Sequence, residues 1–184
     1  MKLWLLRHAP VVLEAGLCYG ASDVPADDAL TQEAAQAAAV FLPPALPVVT
    51  SALQRTRRLG EALQRLRPDL PTPRADARLN EMHFGQWELQ PWAVIPRVAF
   101  DAWTANFAHH RFGGVESTQV ILDRVALALG ELRQSAIEEA VWITHAGVIR
   151  AVQYLAANGS APIERADQWP SEAPAPGGYI QITL

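Results

Sequence analysis

Val141-Trp142-Ile143-Thr144-His145-Ala146-Gly147-Val148-Ile149-Arg150 is the stretch from which the fold can be read. Val141 to Thr144 is a short, continuous apolar run, the pattern of a strand buried on both faces. It ends at His145, and a helix opens near Gly147-Val148 and runs to about Ala157, where Asn158-Gly159 closes it. The same strand-then-turn pattern recurs upstream. Leu3 to Leu6 is a buried strand that ends at Arg7-His8, followed by a polar, Gly-containing loop from about Ala9 to Ala29. Val48-Val49-Thr50 is a further strand, after which Ser51 reads as the cap of a helix with Leu59, Leu63 and Leu66 at helical spacing and Pro68 at its end. Strands that alternate with helices predict an α/β protein, here a three-layer α/β/α sandwich around a mostly parallel central sheet.

The remaining elements fill in around these. Thr31 reads as the cap of a helix that carries Glu33 in its first turn and stops at Pro43-Pro44. Arg74 to Leu79 reads as a short third strand. Asn80 to Gly114 holds Trp87, Trp92 and Trp103 and reads as an excursion with one or two short helices, Pro91 opening one of them. A long helix fits Ser117 to about Ala136, with Ile121, Leu122, Val125, Leu129 and Leu132 as its apolar stripe. Ser160 to Gly178 reads as loop and Tyr179 to Leu184 as a last strand.

Bulk composition narrows the function classes. The 184 residues predict one domain, 1–184, able to bury a sizeable core. The net charge of -4 offers no basic excess to grip nucleic acid. No stretch is long and apolar enough to span a membrane. Cys18 is the sole cysteine, so no internal disulfide forms, which fits a reducing compartment; a cytoplasmic location is the expectation. A monomer or a homodimer is expected.

In an open α/β sheet the carboxyl ends of parallel strands share one edge, where ligands bind. Arg7-His8, Ser51 to Arg55 and His145-Ala146-Gly147 each follow a strand, so the fold pattern would gather two Arg, two His and a helix start at one place. Such a set suits an anion. The three equatorial oxygens of a transferring phosphoryl group need donors, which Arg7 and Arg55 supply as forked hydrogen bonds. A neutral imidazole beside them can attack phosphorus in line, and a leaving alkoxide then needs a carboxylic acid that these residues alone do not identify. His83, His109 and His110 follow no dense ligand spacing and read as surface residues. Arg57, Arg58, Arg65 and Arg67 read as the solvated face of a helix, and Cys18 as a loop or wall residue without an activating partner.

These residues resemble the histidine phosphatase superfamily, which includes the phosphoglycerate mutases. Its hallmark Arg-His-Gly after a strand is here Leu5-Leu6-Arg7-His8-Ala9. Its further blocks resemble Thr50 to Arg55, Leu79-Asn80-Glu81-Met82-His83-Phe84-Gly85-Gln86-Trp87-Glu88, Gly113-Gly114-Val115-Glu116-Ser117 with Arg124 behind it, and Val141 to Arg150. Five blocks in order span most of the chain. Cys18-Tyr19-Gly20 with Asp23-Val24-Pro25, Arg55-Thr56-Arg57-Arg58 and the Pro91-to-Trp103 stretch look most like the α-ribazole phosphatase branch. The resemblance implies a phosphoglycerate mutase-like fold and hydrolysis of a small-molecule phosphomonoester through phosphohistidine, with no metal and no organic cofactor. It implies His8 as nucleophile, Arg7, Arg55 and His145 as holders of the phosphoryl oxygens, and Glu81, in preference to Glu88 or Glu116, as the acid. Tyr19, Gly20 and Trp87 would contact the substrate. A mutase and a non-catalytic phosphatase-like binding module are the alternatives. Ala9 and Ala146 stand where Gly is usual, which is tolerable where φ is negative. Leu59 stands where Thr is frequent, Leu89 replaces the Gly usual after Trp-Glu, and Val115 is an extra residue ahead of Glu116-Ser117.

Overall fold

A computed structural model describes all residues, 1–184. In chain order the elements are β1 (Lys2–Arg7), α1 (Asp28–Phe41), β2 (Val48–Thr50), α2 (Gln54–Leu66), β3 (Arg74–Ala75), α3 (Arg97–Ala105), α4 (Thr118–Gln134), β4 (Glu139–Thr144), α5 (Ala146–Asn158) and β5 (Tyr179–Thr183). They form one sheet of order β3-β2-β4-β1-β5. β1, β2, β3 and β4 run parallel, and β5 adds antiparallel to β1. No helix is long and apolar enough to cross a membrane.

Alternation along the strands sorts side chains to two cores. Leu3 and Leu5 of β1 and Trp142 of β4 face α4 and α5, packing against Ile121, Val125, Leu129, Val148 and Val152. Leu6, Val48, Val141 and Ile143 face α1 and α2, against Ala35, Ala38, Leu59 and Leu63. Leu59 is wholly within this second core, which explains an apolar residue there. The result is the expected α/β/α sandwich.

Register places the site. Arg7 pairs with Thr144 and Thr50 with Ile143, so β1, β2 and β4 end level with one another. The residues that follow, His8, Ser51 and His145, therefore leave the sheet at a single edge.

Several sequence expectations shift. Asp27, not Thr31, caps α1: its carboxylate accepts from Leu30 N, while Thr31 is buried one turn in and its hydroxyl donates to Asp27 O. α2 begins at Gln54 with Leu53, not Ser51, at the cap position; the Ser51 hydroxyl accepts from Leu53 N and bonds Thr56 Oγ1 in the first turn. Only Arg74 and Ala75 pair as β3; the Asp76 carboxylate then accepts from Arg78 N and turns the chain into a 3-10 turn, Ala77–Leu79. Pro91 and Pro96 cap a 3-10 turn (Trp92–Val94) and α3. Arg67 is not part of a solvated face. It donates to the carbonyls of Ala39, Leu42 and Pro43, satisfying the last turn of α1.

Candidate active site

His8 is 2% exposed and its Nδ1 lies 2.7 Å from Ala9 O. A carbonyl only accepts, so Nδ1 carries the proton and Nε2 keeps a free lone pair. Burial first and the neighbouring Arg55 guanidinium second push the ring down to about 3, with Arg7 adding a little and the Ala9 carbonyl opposing only in part, so His8 is uncharged at neutral pH. Positive φ among non-glycine residues occurs only at Ala45 and Leu89, so the methyl groups of Ala9 and Ala146 sit on unstrained backbone.

Arg55 is fully buried and held without any carboxylate partner. Its Nη2 donates to Gly20 O (2.6 Å), its Nη1 to Ser22 O (2.8 Å) and its Nε to His145 Nδ1 (3.3 Å). Tyr19 lies under the guanidinium, 5.5 Å from ring centroid to Cζ. Because Nδ1 of His145 accepts, its ring proton is on Nε2, which donates to Ser51 Oγ at 2.8 Å. Ser51 Oγ also accepts from Leu53 N and lies 2.7 Å from Thr56 Oγ1, which in turn donates to Leu53 O. Burial, then Arg55 and His8, hold the His145 ring well below the ordinary histidine value.

The loop that holds Arg55 is itself tied down by Glu88, whose carboxylate accepts from Gly20 N, Ala21 N, Ser22 N, Ser22 Oγ and Phe84 N. Burial raises the Glu88 carboxyl, but these hydrogen bonds outweigh it and leave the group below its ordinary value.

Arg7 donates through Nη1 to Pro174 O (2.9 Å), and its Nε is buried with no protein partner. Such an orphaned charged donor fits an anionic oxygen. Glu81 docks on the start of α5: Oε2 accepts from Gly147 N and Oε1 from Met82 N, both at 3.0 Å. A Cβ on Gly147 would collide with Oε1, so glycine lets the carboxylate seat against the helix start, and a larger residue would push it aside. Arg7, His8, Arg55 and Glu81 converge on one cavity of about 170 Å³, walled otherwise by Leu17, Tyr19 and Trp92.

The other anticipated residues lie elsewhere. His145 is 0% exposed and stands behind the cavity wall, its ring centroid 5.1 Å from that of His8. Gly20 is buried scaffold: a side chain there would strike Met82 O and Phe84. Trp87 is turned away by the left-handed turn at Gly85 and packs on Phe112, 6.2 Å between centroids, with Gly113 against its edge. Trp92 takes the wall position instead of Trp87. Of the rival acids, Glu88 is the loop anchor and Glu116 is paired with Arg124 at 2.7 Å. Ser117 caps α4, and Val115 is exposed ahead of it, so the extra residue leaves the cap intact. Cys18 is buried with Ile95 and Phe112; burial, then the Glu88 charge, push its thiol up to about 12. No three His, Cys, Asp or Glu side chains are arranged to hold a metal ion.

A strand-end cage of this kind, with a free imidazole nitrogen between two arginines, defines a phosphoryl-handling class, and the comparisons agree. The model of the histidine phosphatase superfamily, branch 1, matches residues 3–174, and the chain belongs to that superfamily. Among solved structures, TTHB049 from Thermus thermophilus is 29% identical with a TM-score of 0.71, over 99% of this chain and 93% of that one. A phosphoglycerate mutase from the same organism is 29% identical with a TM-score of 0.70, over 99% and 92%. The mycobacterial glucosyl-3-phosphoglycerate phosphatase Rv2419c is 25% identical with a TM-score of 0.72, over 84% and 78%. No curated protein sequence matches.

Proposed function

We propose that the chain hydrolyses a small-molecule phosphomonoester through a phosphohistidine at His8. The observation that carries this is the uncharged His8 ring, its Nδ1 proton spent on Ala9 O and its Nε2 pair free, in a cavity shared with Arg7, Arg55 and Glu81. Nε2 attacks phosphorus while the ester P–O bond breaks, and Glu81 gives its proton to the departing alkoxide. Glu81 then takes a proton from water, whose oxygen displaces Nε2 and leaves as orthophosphate. Arg7, through its unpartnered Nε, and Arg55 hold the phosphoryl oxygens; His145, expected to hold one as well, carries its ring proton on Nε2 toward Ser51 and through its accepting Nδ1 positions the Arg55 guanidinium instead.

α-Ribazole 5'-phosphate is the first substrate we put forward. Support comes from the Tyr19-Gly20, Arg55-to-Arg58 and Pro91-to-Trp103 motifs and from the presence of Tyr19 and Trp92 in the wall of the cavity. The similarity to a phosphoglycerate mutase favours one rival, transfer back to substrate. Incubation with 3-phosphoglycerate separates them: orthophosphate is expected, and 2-phosphoglycerate as the product would replace hydrolysis with mutase chemistry. With an aryl phosphate, His8→Asn should lose roughly 10³-fold or more in kcat and no longer form an acid-labile phosphoenzyme. Full activity in that variant refutes the mechanism.

A further inference from the structure

A second cavity, also about 170 Å³, adjoins the first, and the Glu81 carboxyl forms part of both walls. Nothing in the phosphoryl chemistry uses it. Its walls are apolar and flat. Trp103 and Phe107 stack at 5.5 Å with 20° between planes, Trp169 meets Phe107 edge-on at 6.3 Å, and Phe84 meets Trp103 edge-on at 6.4 Å. Met82 and Ile121 close the floor. The polar groups present are few: the Trp103 indole N–H is spent on Thr118 Oγ1 (3.2 Å), leaving the Thr118 hydroxyl proton and the Arg150 guanidinium, which gives one bond to Ser171 O. An apolar cavity of about 150 Å³ is enough for benzene, and aromatic walls favour a ring over a branched chain.

We propose that this cavity receives an aromatic or heteroaromatic ring of the leaving alcohol, so that the preferred substrates are phosphomonoesters with a flat ring a few bonds from the ester oxygen. The inference rests on the phosphatase reading. With phosphorus at His8 the ester oxygen faces Glu81, and the alcohol continues past that carboxyl into the second cavity. The Thr118 hydroxyl and Arg150 suit an acceptor atom on the ring edge. A short polar alcohol, such as a glycerate, would leave the cavity unused.

Two esters with matched alkyl oxygens test this: 2-phenylethyl phosphate and ethyl phosphate. The wild-type kcat/KM should favour the phenylethyl ester by about 30- to 100-fold, the factor for removing a phenyl-sized surface from water. In Ile121→Phe, which fills the floor, the ratio should fall below about fivefold. Should that core change prevent folding, Trp169→Ala, on a half-buried loop residue, removes a wall and should lower the ratio likewise. Equal efficiency toward the two esters in the wild type overturns this inference and leaves the phosphatase reading standing. Absence of turnover with both, and with p-nitrophenyl phosphate, overturns the phosphatase reading instead. The ring site is then judged by tryptophan quenching with 2-(4-nitrophenyl)ethanol: saturable quenching, lost in Ile121→Phe and absent with 2-nitroethanol, upholds it, and unsaturable quenching overturns it.

Discussion

A methyl group at position 147 would collide with Glu81 Oε1, and the clash gives a clean test of whether this carboxyl serves as the acid. Gly147→Ala suits the first turn of α5 and should fold, yet it displaces Glu81 by a fraction of an ångström or more. A fall in kcat of about 10²-fold is expected in steady-state assays, since such misplacement near the reacting atoms is that costly; unchanged kcat would remove Glu81 from the mechanism. Leu89 is the opposite case, a bulky residue at φ 62 with nearly half its surface in water. A side chain in that region costs roughly 1–2 kcal/mol, and glycine gives part of this back through unfolded-chain entropy. Leu89→Gly should therefore raise stability by about 0.5–1 kcal/mol in urea unfolding. The sequence showed Leu89 as a departure from the superfamily pattern, and its strain is what the departure means. Arg7, His8, Arg55 and Glu81 were legible because each lies in a quoted block. Which tryptophan meets the cavity was not, since the turn at Gly85 and the contact with Gly113 decide the direction of Trp87.

Among the elements, the long helices were legible from their apolar stripes, α4 to within two residues at its end. Short ones were not. β3 is two residues because a single carboxylate, Asp76, diverts the chain, and α1 starts early because Asp27 caps it better than Thr31, a competition that only the backbone resolves. The segment 20–22 has no regular structure and still holds Arg55 through two carbonyls; five donors converging on Glu88 give it rigidity. Glu88→Gln replaces one acceptor oxygen with an amide that faces donors. A loss of about 2–3 kcal/mol is expected in denaturant unfolding, the range for hydrogen bonds to a charged group, with a raised KM as Arg55 loosens. An unaltered KM would mean that α2 alone positions the guanidinium.

Across the whole molecule, two histidines buried without charge set the response to acid. The folded His8 titrates near 3 and His145 well below its ordinary value, whereas both take up a proton near 6.5 when the chain unfolds. The unfolded state thus binds more protons as pH falls, and stability present above about 6.5 is lost on the way down. Each ring contributes up to about 1.4 kcal/mol per pH unit, so urea unfolding between pH 6.5 and 5 should steepen toward two protons. His8→Asn should remove about one; a flat profile in the wild type would contradict the burial of both rings. The carboxylates held low, Asp76 and Glu88 among them, act only in more acid solution. Their fixed neighbours have one more effect. Arg55 is restrained by carbonyl dipoles and a neutral ring, and Arg7 by a carbonyl, so neither guanidinium is in a direct ion pair, although the Glu81 carboxyl lies near both. Any tetrahedral oxyanion in solution meets two guanidinium groups that no carboxylate in the chain engages in a direct ion pair, and the released product is one such ion: turnover will be self-limiting as orthophosphate accumulates.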